Sequence, residues 1–224
     1  MHVEPGILNG VKIALSYATA AGASAYSMKL AFETLKAVGA ASFASRTLLA
    51  MASTFTFFQV LPHFPVGVSE VHFILGSTLF LIFGAAPAAF GLALGLLLQG
   101  VLFAPSDLPQ YFINVTTLLV PLFAVAAMAK RIIAPNTAYV DLTYIQALKL
   151  STTYQAGVVA WVSFWAFYGQ GFGAENIAAV TSFGAAYMLV ILIEPIADLA
   201  VLAGAKSLNS LEKTGLVQSR VYHS

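Results

Sequence analysis

Hydrophobic positions in this chain fall in long runs, not in short alternating stretches. Seven runs can be drawn near the ~20 residues that a helix rising ~1.5 Å per residue needs to cross a bilayer. They cover about Asn9 to Leu30, Ala41 to Leu61, Val71 to Ala85, Ala88 to Ala104, Leu108 to Ala129, Tyr144 to Tyr168 and Asn176 to Gly204. A Gly84-Ala-Ala-Pro87 break separates the third from the fourth. Backbone polar groups in lipid can be satisfied only within helices or a closed barrel, and runs without period-two alternation predict helices. The expected fold is therefore all-α, a polytopic membrane protein of about seven transmembrane helices. The longest linker, about Lys130 to Thr143, is too short for an appended soluble domain, so residues 1–224 are expected to form one integral-membrane domain.

Composition agrees: 59% of the 224 residues are hydrophobic and 8% charged, against about 25% charged in an ordinary soluble domain. Mean hydropathy is +0.86. The chain has no cysteine, which excludes disulfides, thiolate metal sites and cysteine nucleophiles. A net charge of +1 gives no basis for a nucleic-acid partner, and none is expected. The segment from Met1 to Gly10 carries Glu4 and Pro5 where a signal peptide would be basic, so the chain is expected to keep its own N-terminus. His2 is large enough to spare Met1 from trimming.

Charge placement orients the spans. With seven of them, nine of the ten Lys and Arg residues share a side with the C-terminus, Lys12 being the exception. The positive side is cytoplasmic, so the N-terminus is expected outside. His2, His63 and His72 then lie together at the outer face, in loops that carry Glu70 and other acids, while His223 lies in the cytoplasmic tail. Such a face attracts cations.

The chemistry of these residues points to a metal. A free amine, the His2 backbone nitrogen and the His2 imidazole can close two fused chelate rings, leaving one in-plane position for another imidazole. His72 sits near the start of the third run, where a rigid helix would hold it. His63, in the turn Pro62-His-Phe-Pro65, is a further ligand, a neighbour of the ligands or an ordinary loop residue. Glu70 either orients an imidazole or favours a helix N-terminus. Each lone histidine, taken alone, is more often a hydrogen-bonded interface residue than a ligand. Four nitrogens suit Ni(II) or Cu(II) and are acceptable to cobalt, whereas Mg(II) and Ca(II) want oxygens.

The motifs Met1-His2-x-x-x-Gly6, Phe64-Pro-Val66, Gly67, Ser69 and a histidine followed by Leu75-Gly76 resemble the CbiM/NikM family. Its members are the membrane substrate-binding (S) components of energy-coupling-factor cobalt and nickel ABC importers. The resemblance implies a metal bound by Met1, His2 and His72. Ser69 and Asn114, the latter in an Asn-Val pair, would lie around these ligands with Glu70. Two departures are His63, where the family usually has Asn, and the residue before His72, which is Val71 in place of Gly. A fifth or sixth donor from His63 or Glu70 would move the site from square-planar nickel toward cobalt; the two metals fit about equally.

The resemblance also implies partners: a transmembrane coupling (T) subunit, cytoplasmic ATPase subunits and often a small accessory membrane subunit. The setting is the plasma membrane of a prokaryote, where the imported cobalt or nickel would supply cobalamin biosynthesis or a nickel enzyme. No G-x-x-x-x-G-K-[ST] phosphate loop occurs, so ATP hydrolysis belongs to those partners and the chain is not expected to be an enzyme. No resident cofactor is expected; Co(II) or Ni(II) is cargo. The alternatives are an intramembrane metalloenzyme, which lacks support from any H-E-x-x-H or G-x-S-x-G motif, and an autonomous secondary metal transporter. Small residues at Ala14, Ala18 and Gly22, and at Ala40 and Ala44, are expected to pack inside the bundle in preference to forming a docking face. Arg46, Lys149, Glu194 and Asp198 read as anchors near cytoplasmic helix ends or as contacts for the coupling subunit, and not as an ion path, and Lys12 as a partner for an acid.

Overall fold

The computed structural model describes residues 6–8 and 10–223. The long helix α1 (Ala14–Phe55) carries the first two expected spans, divided at Gly39. There φ is 78° and ψ 167°, a conformation open to glycine and strained for other residues, so the helix breaks sharply. A π-type turn at Thr56–Val60 leads into a small hairpin of β1 (Phe64–Val66) and β2 (Ser69–Val71). The strands pair antiparallel, with Phe64 opposite Val71 and Val66 opposite Ser69.

The hairpin corrects the third expected span. Residues 69–71 are strand, and helix begins only at α2 (Gly76–Phe83), whose eight residues rise about 12 Å and cannot cross a bilayer alone. A second break at Gly84 separates α2 from α3 (Ala85–Leu102). Then come α4 (Tyr111–Ile132), α5 (Tyr144–Gln170), α6 (Ala174–Met188) and, after a 3-10 turn, α7 (Glu194–Ser207). Thr143 and Gln146 form a capping box that starts α5, satisfying two otherwise unpaired backbone donors. Among the described residues, three segments are long and apolar enough to cross a membrane: Ala85–Leu102, Pro105–Ile132 and Ala174–Ser207.

The core is built around α5, whose Tyr154, Val158, Val162 and Trp165 are fully buried, together with Phe183 and Tyr187 of α6 and Leu118 and Leu122 of α4. Close helix packing uses small residues: a Cβ at Gly91 or Gly95 of α3 would collide with Ala50 or Thr54 of α1. The small-residue rows expected to pack internally do not. Ala14, Ala18, Gly22, Ala40 and Ala44 are exposed, while Ser16, Ala20, Ala23, Ser27 and Ala31 face inward.

Three further expectations change. Lys12 donates to the carbonyl of Gly169 at 2.8 Å, near the C-terminus of α5, and not to an acid. Arg46 is buried and donates from Nε to Gly215 O at 2.9 Å, which ties the tail to α1. Glu194 and Asp198 are fully buried, not snorkelling at an interface. The tail also closes the break after α2: Gln218 donates from its backbone N to Ile82 O and from Nε2 to Phe80 O and Leu81 O, so that carbonyls at the end of the helix gain partners from the tail.

Candidate metal centre

Period-two geometry assembles the site. Glu70 and His72 are two residues apart along extended chain, so their side chains leave on the same side. Glu70 Oε2 lies 2.9 Å from His72 Nε2. His72 is 1% exposed, and Glu70 keeps 29% of its side-chain surface. A carboxylate on one imidazole nitrogen fixes the ring and raises the basicity of the other, the arrangement that supports metal-binding histidines. With Nε2 committed to Glu70, Nδ1 is the nitrogen that would face an ion.

His72 follows β2 and does not lie on a helix, which corrects the expected placement. Its position is nevertheless rigid. The tight turn Ile74 N to His72 O, 3.0 Å, closes the segment before α2. The hairpin tip is pressed on α6, where a Cβ on Gly67 would overlap the carbonyl of Ala179.

Two rings lie against His72. Phe58, fully buried, sits at 4.7 Å between centroids and 45° between planes. His63, exposed, sits at 4.7 Å and 15°, nearly parallel. An imidazole binds a metal in its own plane, and two near-parallel stacked planes share no common point for one ion. In this geometry His63 covers His72. Sequence reasoning did not find Phe58, which is one phenylalanine in an aromatic run and carries no distinguishing pattern.

The other sequence candidates are placed as follows. Ser69 is fully buried in β2, and Asn114 is buried on α4, where it lines a small crevice with Asp107, Leu108 and Tyr111. Met1 and His2 lie outside the described residues. His223 is remote in the tail and pairs with Glu212 at 3.0 Å. Among the described residues, no three His, Asp or Glu side chains converge where a metal could be held. Among the described residues, His72 with Glu70 is the pair that places a carboxylate on a buried imidazole.

The start of the described chain approaches the hairpin. Ile7 and Leu8 are 4% and 2% exposed, and the Ile7 carbonyl lies where a Cβ on Gly169 would be. Ile7 lines one crevice with Gly67 and Val68 at the hairpin tip and with Asn176 of α6.

The fold is that of a membrane protein of broken helices with a buried, carboxylate-held histidine in a loop before α2. The family model for the cobalt uptake substrate-specific transmembrane region, CbiM, matches residues 2–210. The chain belongs to the CbiM family, and is a multi-pass membrane protein of cobalt uptake. No curated protein and no solved structure matches it.

Proposed function

We propose that this chain is the substrate-capture membrane subunit of an energy-coupling-factor ABC importer in a prokaryotic plasma membrane. It takes up Co(II) or Ni(II) as cargo. The ion is held by the Met1 amine, the His2 backbone nitrogen and imidazole, and His72 Nδ1, with Glu70 orienting His72, His63 covering it, and Ser69 and Asn114 around the ligands. A transmembrane coupling subunit, cytoplasmic ATPases and a small accessory membrane subunit complete the importer and supply the energy. The chain itself hydrolyses nothing and needs no resident cofactor.

The observation that carries this reading is the burial of a carboxylate-bound imidazole at the end of a hairpin whose tip shares a crevice with Ile7, near the start of the described chain. Ile7 is five residue steps beyond His2, and five steps of extended chain reach about 17 Å, enough to cross a helix or a hairpin. Family membership supports cobalt, and the nitrogen-rich donor set suits cobalt and nickel alike.

The test is titration of the purified protein with Co(II) and Ni(II), beside a form with one extra residue ahead of Met1 and a His72→Ala variant. The extra residue displaces the amine and leaves the fold nearly untouched. Loss of binding in both is expected. Unchanged binding in both would overturn the site.

A further inference from the structure

Six polar contacts in the bundle core surround two carboxyl groups that cobalt capture does not use. Glu194 and Asp198 lie one turn apart on α7, both fully buried. Ser77 donates its backbone N–H to Glu194 Oε1 at 3.3 Å. Ser77 Oγ lies 2.9 Å from the same oxygen and 2.7 Å from Asp198 Oδ2. Thr78 Oγ1 bonds Asp198 Oδ1. From α5, Ser151 Oγ and Gln155 Nε2 reach Glu194 Oε2 at 2.5 and 2.6 Å.

Ser77 Oγ has one hydrogen and two carboxyl contacts. It can donate to one of them only. The other contact is a hydrogen bond only if that carboxyl carries a proton and donates it to the serine oxygen. Two charged carboxylates this close in an apolar interior would also repel each other, and the neutral donors around them do not cancel two negative charges. Among the described residues no Lys, Arg or His pairs with either acid. The titratable groups facing them are the phenols of Tyr154 on α5 and Tyr187 on α6, both within electrostatic reach of Glu194.

Fully buried polar atoms at the rim of this cluster point to a ligand independently. Gln155 Oε1, Tyr154 OH and Tyr187 OH have no hydrogen-bond partner among the described residues. The Gln155 amide is already in the cluster through its nitrogen, and the Tyr154 ring occupies the space a Cβ on Gly76 would take, beside Ser77. These groups suit a hydrogen-bonded proton and its water.

We propose that Glu194, Ser77 and Asp198 form an intramembrane proton-binding site that holds one proton shared between the two carboxyls. Protonation lets α2, α5 and α7 meet at a single point, and loss of the proton leaves two negative charges there. The site is joined to the histidine loop: Gln155 Nε2 also donates to Ile74 O at 3.0 Å, and Ile74 N donates to His72 O. The proton site stands without the metal reading, because its own test involves no metal.

The experiment is infrared difference spectroscopy of the full chain in lipid nanodiscs at neutral pH, with and without H/D exchange, in sodium-free and sodium-containing buffer. The wild type is expected to show one protonated-carboxyl C=O band. Glu194→Gln and Asp198→Asn, which supply amide hydrogens in place of the proton, should each abolish it. Ser77→Ala, which keeps both carboxyls, should retain the band at a shifted frequency. No such band in the wild type would overturn the proposal whether or not the variants fold. So would a band that survives both amide substitutions. Displacement of the band by sodium would make this a hard-cation site and would equally overturn it.

Discussion

The imidazole of His63 lies nearly parallel to that of His72, with 4.7 Å between centroids and 15° between planes. One ring is exposed and the other 1% exposed, so His63 shields a histidine already bound to Glu70. A covering ring and a ligand respond differently to deletion. His63→Ala is expected to weaken metal binding about 10-fold or less and to leave the visible spectrum of bound Co(II) unchanged, whereas His72→Ala should abolish binding. A changed spectrum in His63→Ala would make His63 a ligand.

Glu70 acts through the His72 Nε2 bond. Glu70→Gln keeps the shape and removes the charge that fixes the ring and raises its basicity. An affinity loss of about 10- to 100-fold is expected, the usual cost of removing a group that orients a metal-binding imidazole. Isothermal titration with Ni(II) measures it. Unaltered affinity would reduce Glu70 to an electrostatic attractant for the ion.

Histidine ligation requires a neutral ring, and amine ligation a deprotonated nitrogen. Protons therefore compete with the metal, and binding should weaken as pH falls through ~6.5, the ordinary imidazole range. Affinity that stays flat between about pH 8 and about pH 5 would exclude imidazole ligands.

Outside the membrane-spanning segments, burial raises the phenol of Tyr139 above its ordinary 10.0, an effect that neighbouring Arg220 partly offsets. A raised value means the fold prefers the neutral phenol. Its stabilisation is complete below the unfolded value and is lost as pH rises through the folded one. Tyr139→Phe is expected to flatten the decline of Tm above about pH 10. An identical alkaline slope in the variant would place the titrating group elsewhere.

Long apolar runs made most of the bundle legible: α4, α5 and the α6–α7 segment fall close to the runs from Leu108, Tyr144 and Asn176. Length alone decides such elements. The hairpin was not legible, because strands of three residues carry no measurable alternation and Phe64-Pro-Val66 reads equally well as a turn. Nor could the runs show which way a polar residue faces. Glu194 and Asp198 look like interface anchors until α2 and α5 bring four donor side chains to them. The Glu70–His72 pair was partly legible: a two-residue spacing suggests an orienting carboxylate, but only the strand conformation makes the side chains meet.

The hairpin carrying Glu70 and His72 is positioned by its tip. Gly67 has φ of +61°, and a Cβ there would overlap the carbonyl of Ala179 and press on Ser182 Oγ. Gly67→Ala must strain the turn or lift it from α6, at a cost of about 1–3 kcal/mol. Lifting the tip also moves β2, and with it the residues that aim His72. The variant is therefore expected to lose metal affinity along with thermal stability, although it touches no ligand. Measured together in detergent, a lower Tm with full affinity would show that His72 is held by the turn at Ile74 and not by the docking of the hairpin on α6.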